Sequence, residues 1–281
     1  MGKIRITCDS TCDLPKELYE QCGAEVVALG VSLGDDFRHD GEDLCPEELF
    51  AYVAASGQLP KTSAISIAEY EDVFRRLTED GSHVIHINLS SALSSSHQNA
   101  CLAAEEVGNV TVIDSRSLSS GSGHLVMLAS ELVRAGKSHE EISDSLNEAK
   151  TRLDVSFVLQ TLEYLHKGGR CSGIAAFGAN LLKLRPEIQV KDGSMEVGRK
   201  YRGNAEKSIL DYIRGRLEGR TDVQCDRIFM THSGVDRAVL EKARALIGEL
   251  QPFSEIIETT AGSSISSHCG PGCFGVLFFK K

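Results

Sequence analysis

Patterns typical of buried strands and of amphipathic helices alternate from one end of this chain to the other. Short apolar runs that predict strands occupy residues 4–7, 25–32, 84–88, 110–113, 156–159, 227–231 and 255–258. Segments with an apolar period of 3.6 residues, which predict helices, lie at residues 46–55, 68–79, 94–107, 123–135, 139–153, 205–217 and 237–250. Because parallel strands need a crossover that is usually a helix, this alternation predicts an α/β fold with a largely parallel sheet.

A predicted β-hairpin interrupts the alternation in the second half of the chain. Residues 187–190 and 195–201 have strand patterns and flank a turn that contains Gly193.

A chain of 281 residues fits about two domains. We predict a boundary near residues 154–163. It gives an N-terminal α/β domain at 1–158, whose sheet is largely parallel, and a C-terminal α/β domain at 159–281 that carries the hairpin.

Charge and cysteine content disfavour several functional classes. The net charge of −10 and the absence of tryptophan disfavour a general nucleic-acid binder, since phosphate contacts dominate that affinity. The longest apolar stretches have the length of a strand, so we expect no integral membrane segment. No secretory signal is visible at the N-terminus, and the nine cysteines are an odd number. We therefore expect reduced thiols and a cytoplasmic protein.

Serines are concentrated in three short windows. Fourteen of the 30 serines fall in residues 90–96, 115–122 and 263–267. The first two windows each follow a predicted strand and precede a predicted helix, where ligands of open α/β sheets bind. Hydroxyls and helix N–H groups there make a site for an anionic oxygen. The competing interpretation is that these serines only cap helices and form turns.

Five motifs follow one another at a characteristic spacing: Asp9-Ser10-Thr11-Cys12-Asp13-Leu14-Pro15, Lys61-Thr62-Ser63, Ser90-Ser91-Ala92-Leu93-Ser94, Tyr164-Leu165-His166-Lys167-Gly168-Gly169-Arg170 and His268-Cys269-Gly270-Pro271-Gly272. Together they resemble the DegV family of bacterial fatty-acid-binding proteins, and the resemblance covers nearly the whole chain. It implies two α/β domains that enclose the acyl chain of a long-chain fatty acid such as palmitate or oleate. It further implies a role in lipid transport or fatty acid metabolism, with no cofactor beyond the bound lipid.

The resemblance also implies the site residues. Thr62 and Ser94 are expected to hold the carboxylate, with His268 close to it and with Ser63 and Ser95 beside them. Some members of the family are not enzymes themselves but present the bound acid to a separate fatty acid kinase.

The sequence has no Gly-x-x-x-x-Gly-Lys-Ser/Thr loop, so we expect any ATP site to lie on such a partner. Arg170 and Arg202 are the preferred contacts for that partner or its phosphate. The alternative is that they are ordinary solvated charges.

Two other functions remain open at this point. One is an acyl hydrolase that uses Cys269 with His268, or one of the serines, as its nucleophile, although no Gly-x-Ser-x-Gly elbow occurs. The other is a thiol or metal site that combines Cys8 and Cys12 with Cys269 and Cys273. Each of these pairs is separated by three residues, whereas zinc and thioredoxin motifs use two. We therefore expect no metal, and buried cysteines that behave as small hydrophobic residues.

Overall fold

A computed structural model describes residues 2–171 and 184–281 of the protein. The strands are β1 (Ile4–Asp9), β2 (Ala24–Val27), β3 (Gly30–Leu33), β4 (Asp36–His39), β5 (Lys61–Ser63), β6 (His83–Asn88), β7 (Val110–Asp114), β8 (Leu153–Val158), β9 (Leu184–Lys191), β10 (Ser194–Arg202), β11 (Val223–His232), β12 (Glu255–Thr260) and β13 (Phe274–Lys280). The helices are α1 (Lys16–Cys22), α2 (Pro46–Ser56), α3 (Ile67–Thr78), α4 (Ser96–Val107), α5 (Ser120–Arg134), α6 (His139–Ala149), α7 (Glu163–Gly168), α8 (Ala205–Leu217), α9 (Arg237–Leu250) and α10 (Ser263–Cys269).

The first sheet is entirely parallel, in the order β2-β1-β6-β7. Its strands must be covered on both faces, and the alternation along β6 shows how this is achieved. Val84 packs in one core cluster with Phe74 of α3, whereas Ile85 packs in another with Leu125 of α5 and Leu146 of α6. The predicted α/β fold with a parallel N-terminal sheet is therefore confirmed.

The second sheet is mixed, in the order β10-β9-β8-β13-β11-β12. Helices α8 and α9 cover one face through a cluster that includes Tyr212, Ile247 and Phe278. The predicted hairpin is present as β9 and β10, which pair antiparallel. The sequence pattern of residues 162–182, which glycines at 168, 169 and 173 interrupt, also predicts helix. Residues 172–182 of this prediction lie outside the described residues, and α7 ends at Gly168.

Helix α5 packs against both sheets. Ten of its 15 residues are buried, and Leu125 shares its core cluster with Phe229 and Leu277 of the second sheet. Gly121 explains how the helix comes so close, because a Cβ added there would lie 2.8 Å from Val155 and 2.3 Å from the Ser117 hydroxyl. The serine- and glycine-rich sequence of residues 119–123 predicts a loop before a helix, but residues 120–123 form the first turn of this helix.

Two sequence predictions of strands differ from the structure. The apolar run at 25–32 is two strands, β2 and β3, in different sheets, because the chain turns between Val27 and Gly30. Strand β8, predicted in the first domain, pairs instead with β9 and β13 of the second sheet. An apolar strand carries no mark of the sheet it joins, and no linker composition flags the crossing.

A small antiparallel sheet, in the order β4-β3-β5, lies outside the predicted pattern. Its three strands have three or four residues each, too short for a period to be read from sequence. Strand β5 is the element that carries Thr62.

The buried histidine of α5 should make folding sensitive to acid. His124 is 1% exposed and bonds through Nε2 to the Leu277 carbonyl, and burial lowers its pKa to about 4. The unfolded chain, with an ordinary pKa near 6.5, therefore takes up a proton first as pH falls. Between pH 7 and pH 4.5 this histidine should remove about 2–3 kcal/mol of unfolding free energy. Urea titrations of the parent and of His124→Gln should diverge by that amount, and parallel pH curves would contradict the assignment.

Candidate functional site

A cavity lies where the three sheets and α10 meet. The loops that follow β1, β6 and β7 contribute to its wall, as do strand β5, strands β8, β10, β11 and β13 of the second sheet, and α10 itself. All five predicted carboxylate residues line it: Thr62, Ser63, Ser94, Ser95 and His268. The structure therefore brings these residues to one cavity, although 206 positions separate the first from the last.

Thr62 and His268 form a direct hydrogen bond in this cavity, with Thr62 Oγ1 2.9 Å from His268 Nε2. Thr62 comes from β5, and His268 comes from the last turn of α10. If the ring proton sits on Nε2, the histidine donates to Thr62, and the threonine O–H remains available to a ligand oxygen. The pair then acts as one donor aimed into the cavity.

His268 is held as a neutral imidazole. Burial, and then the nearby Arg170 charge, lower its pKa to about 4. Its Nδ1 is buried without a hydrogen-bond partner among the described residues. A Cβ added at Gly168 would lie 2.3 Å from this nitrogen, so the glycine of α7 makes room for the ring. A neutral ring gives a hydrogen bond without the strong attraction of a buried ion pair.

The loop between β6 and α4 supplies the serines. Ser94 Oγ accepts from the Ser96 N–H at 3.2 Å and lies 3.0 Å from Ser96 Oγ, while Ser95 is exposed. The tip of the β9–β10 hairpin rests on the same loop, because Ser90 Oγ donates to the Gly193 carbonyl at 2.8 Å. The hairpin therefore holds the serine loop from the second sheet.

The two predicted arginines differ in position. Arg170 lines the cavity, is exposed, and donates to the Gly168 carbonyl at 2.6 Å. Arg202 is exposed at the end of β10 and is not among the residues that line the cavity. Only Arg170 is thus placed beside the candidate carboxylate residues.

The apolar part of the lining was not predicted from the sequence. It comes from separate elements that share no motif, and its larger members include Leu29, Leu89, Leu118, Phe157, Leu165 and Met195. Each of these side chains is less than 10% exposed. Any buried apolar position of an α/β protein would look the same in sequence, so no local signal could have found them.

Most hydroxyls of the second serine window pair inside the protein, whereas the third window builds a helix and contributes Ser264 to the cavity. In the window at 115–122, Ser115 bonds Ser122 and Ser120 bonds Thr231 of β11, so most of these hydroxyls pair inside the protein. The window at 263–267 forms most of α10. The expectation that the second window would hold an anionic oxygen is therefore not supported, except that Ser119 lines the cavity.

Buried carboxyls of the first motif and of the loop after β4 hold α10 in place. Asp13 accepts from the Gly262 N–H at 2.8 Å, and Asp40 accepts from the Ser263 N–H at 2.6 Å and from the Ser10 hydroxyl at 2.9 Å. Burial raises the pKa of both carboxyls. Asp13 and Asp40 thus fix the helix that carries His268.

The alternative functions find little geometric support. Cys269 contacts Ser233 Oγ and the Gly270 carbonyl, whereas His268 contacts Thr62, so the adjacent residues have different partners. Cys8 and Cys12 pack in a different core cluster from Cys269 and Cys273. Within residues 2–171 and 184–281, no three His, Cys, Asp or Glu side chains are grouped as a metal site would require.

Comparisons with known proteins agree along the whole chain. A family model described as "Uncharacterised protein, DegV family" matches residues 3–281. A DegV domain-containing protein of Caldanaerobacter subterraneus is 32% identical, with both chains fully covered. A DegV family protein of Thermus thermophilus, described for its fatty acid binding, superposes with a TM-score of 0.88 at 34% identity, covering 99% of this chain and 100% of that one. A stearic acid-binding protein of Eubacterium ventriosum has a TM-score of 0.86 at 25% identity, covering 100% and 99%.

Proposed function

The chain belongs to the DegV family, and we propose that it binds one long-chain fatty acid, with the carboxylate at Thr62, Ser94 and His268 and the acyl chain along the apolar lining. The observation that carries this proposal is the joining of a hydroxyl–histidine pair and a largely apolar wall in one cavity. The fatty acids bound by the Thermus and Eubacterium relatives support the ligand class.

The polar end suits a carboxylate that must be held without an ion pair. A buried carboxylate needs hydrogen-bond donors, because an unpaired charge in an apolar site is costly. Thr62 and Ser94 each have an O–H, and the neutral His268 ring orients the first of them. Hydrogen bonds to a charged acceptor contribute about 1.5–3 kcal/mol each.

The apolar wall supplies most of the affinity. Burial of a methylene contributes about 0.8 kcal/mol, so roughly fifteen of them give a gross term of about 12 kcal/mol before the cost of ordering the chain. The wall therefore favours long chains, and the hydroxyls select the acid head group.

We propose a role in lipid transport or fatty acid metabolism, in which the protein presents the acid to a separate kinase. Arg170 supports this proposal, because it is exposed and lines the same cavity as His268. A phosphate transferred to the carboxylate would emerge near this guanidinium. Arg202 is proposed as a more distant contact of the partner.

We propose the cytoplasm as the compartment, since an odd number of cysteines in a long chain suits reduced thiols better than a disulfide framework. No helix of the described residues has the length and apolar character needed to cross a bilayer.

Delipidated protein should regain stability when palmitate or oleate is added. At a ligand concentration 100 times Kd, binding to the folded state alone adds about 2.7 kcal/mol to the unfolding free energy. Thermal or urea unfolding of the delipidated protein with and without palmitate measures this directly. Native mass spectrometry of protein purified from bacteria should show one bound mass in the range of a long-chain fatty acid.

Hexadecane and methyl palmitate are the controls for that measurement, because they carry the tail without the charged head group. Both should stabilise the protein less than palmitate. Absence of stabilisation by either acid, together with no co-purified lipid mass, would exclude the fatty-acid-binding function.

A further inference from the structure

We propose that the cavity contains a second polar site, formed by Thr11, His232 and Ser264, which binds a hydroxyl group on the acyl chain; this rests on the proposed fatty acid binding. All three residues line the cavity. None of them belongs to the candidate carboxylate site. A cavity meant only for a saturated tail would be lined by apolar atoms there.

Thr11 is the principal observation. It is 1% exposed, and its Oγ1 has no hydrogen-bond partner among the described residues. A buried hydroxyl without a partner costs about 1–3 kcal/mol, so native proteins rarely leave one in that state. The neighbouring Ser10 and Asp13 are both hydrogen-bonded, whereas the Thr11 hydroxyl at the cavity has no partner within the described residues.

His232 provides the complementary atom. Its Nε2 faces the Glu258 carboxylate at 3.9 Å, while its Nδ1 is buried without a partner among the described residues. Burial lowers the pKa of this ring, so it is neutral near pH 7. A proton on the Nε2 that faces the carboxylate leaves Nδ1 as a hydrogen-bond acceptor.

Backbone contacts bring these residues together. The Ala261 N–H donates to the His232 carbonyl at 2.9 Å, and the next residue, Gly262, donates to Asp13, two residues after Thr11. Ser264 follows directly. The three residues therefore line the cavity where the first motif, the end of β11 and the start of α10 meet.

Helix α10 gives the distance between the second polar site and the proposed carboxylate site. Ser264 and His268 are four residues apart on one helix face, which is about 6 Å along the axis. An extended carbon chain advances roughly 1.2 Å per bond, judged from the rise of an extended backbone. About five bonds thus separate the two polar positions, which places the ligand hydroxyl in the carboxyl-proximal to middle part of the chain.

The chemistry of the two unpaired atoms defines the ligand group. Thr11 can donate, and His232 Nδ1 can only accept in this tautomer. A hydroxyl satisfies both atoms, since it donates and accepts, whereas a methylene satisfies neither. The favoured ligand class is therefore a monohydroxy long-chain fatty acid.

Binding of stearate and of a positional series of monohydroxystearates, from C2 to C12, tests the proposal by displacement of a fluorescent fatty acid. We expect one isomer between about C5 and C9 to bind at least roughly tenfold tighter than the isomers at either end of the series, since a misplaced hydroxyl loses its partners. Thr11→Val and His232→Leu should abolish this preference while stearate binding changes less than twofold. Ser267→Ala removes a hydroxyl of α10 that does not line the cavity and should keep the preference.

Thr11→Val conserves shape and removes only an unpaired hydroxyl, so the ligand-free variant should melt at or above the parent temperature. A flat series across all positions, with stearate bound normally, would overturn the second polar site and leave the fatty acid function intact. A preference that survives in both Thr11→Val and His232→Leu would also overturn it. Failure of stearate and of every isomer to bind would refute both proposals.

Discussion

Replacement of Asp9 by alanine is expected to lower the unfolding free energy by about 3–5 kcal/mol, because it removes the acceptor of a fully buried network. Asp9 is 0% exposed at the end of β1. Its carboxylate accepts from the Tyr70 hydroxyl at 2.7 Å, from the Leu89 N–H at 2.8 Å and from His86 Nε2 at 3.2 Å. Without it, these buried donors lose their partner at once.

The loss should extend to the cavity. Leu89, whose N–H is bound by Asp9, lines the cavity and leads directly into the serine loop that carries Ser94. Urea unfolding of Asp9→Ala measures the stability term, and palmitate binding below the melting temperature measures the local effect. Asp36→Ala is the matched control, since this exposed carboxylate pairs with Arg38 at 2.9 Å and its loss should cost less than about 1 kcal/mol. A loss below 1 kcal/mol in Asp9→Ala would show that the network is not a source of stability.

The Asp9 network also shows which parts of the structure the sequence predicts and which it does not. The apolar periods located most helices and the parallel strands, because burial on both sheet faces leaves a continuous pattern. Taken by itself, the polar run at residues 7–15 predicts only a turn after a strand, since a short run of Asp, Ser and Thr looks the same whether it ends a strand or bonds distant parts of the chain. Its role depends on Tyr70 and Gly262, which are distant in sequence, and no local rule connects them.

The same limit applies to the site. The resemblance named Thr62, Ser94 and His268, and the structure places all three at one cavity. Helix α10 was not predicted, because serine is a poor helix former and four of its seven residues are serines. Asp13 and Asp40 accept hydrogen bonds from the backbone N–H groups at the start of this helix, so its existence depends on parts of the chain more than 200 residues away.

Substitution of the head-group residues should separate binding of the acid from binding of its tail. Thr62→Ala, Ser94→Ala and His268→Ala are each expected to weaken palmitate binding by roughly 10- to 150-fold, the equivalent of one hydrogen bond to a charged group. Methyl palmitate has no charged acceptor, so it should bind the parent more weakly than palmitate does. It should also lose less affinity in each variant. Ser91→Ala is the matched control, because this hydroxyl in the same loop donates to Asp114 at 2.6 Å and does not line the cavity.

The comparison of acid and ester decides between two roles for these hydroxyls. If they only stabilise the loop and α10, each substitution lowers stability and weakens both ligands equally. If they hold the carboxylate, the acid loses affinity selectively, and His268→Ala resembles Thr62→Ala because the two side chains act through one hydrogen bond. Double substitution of Thr62 and His268 should then cost little more than either single change, since coupled partners are not additive. Equal losses for acid and ester in all three variants would remove these residues from the site.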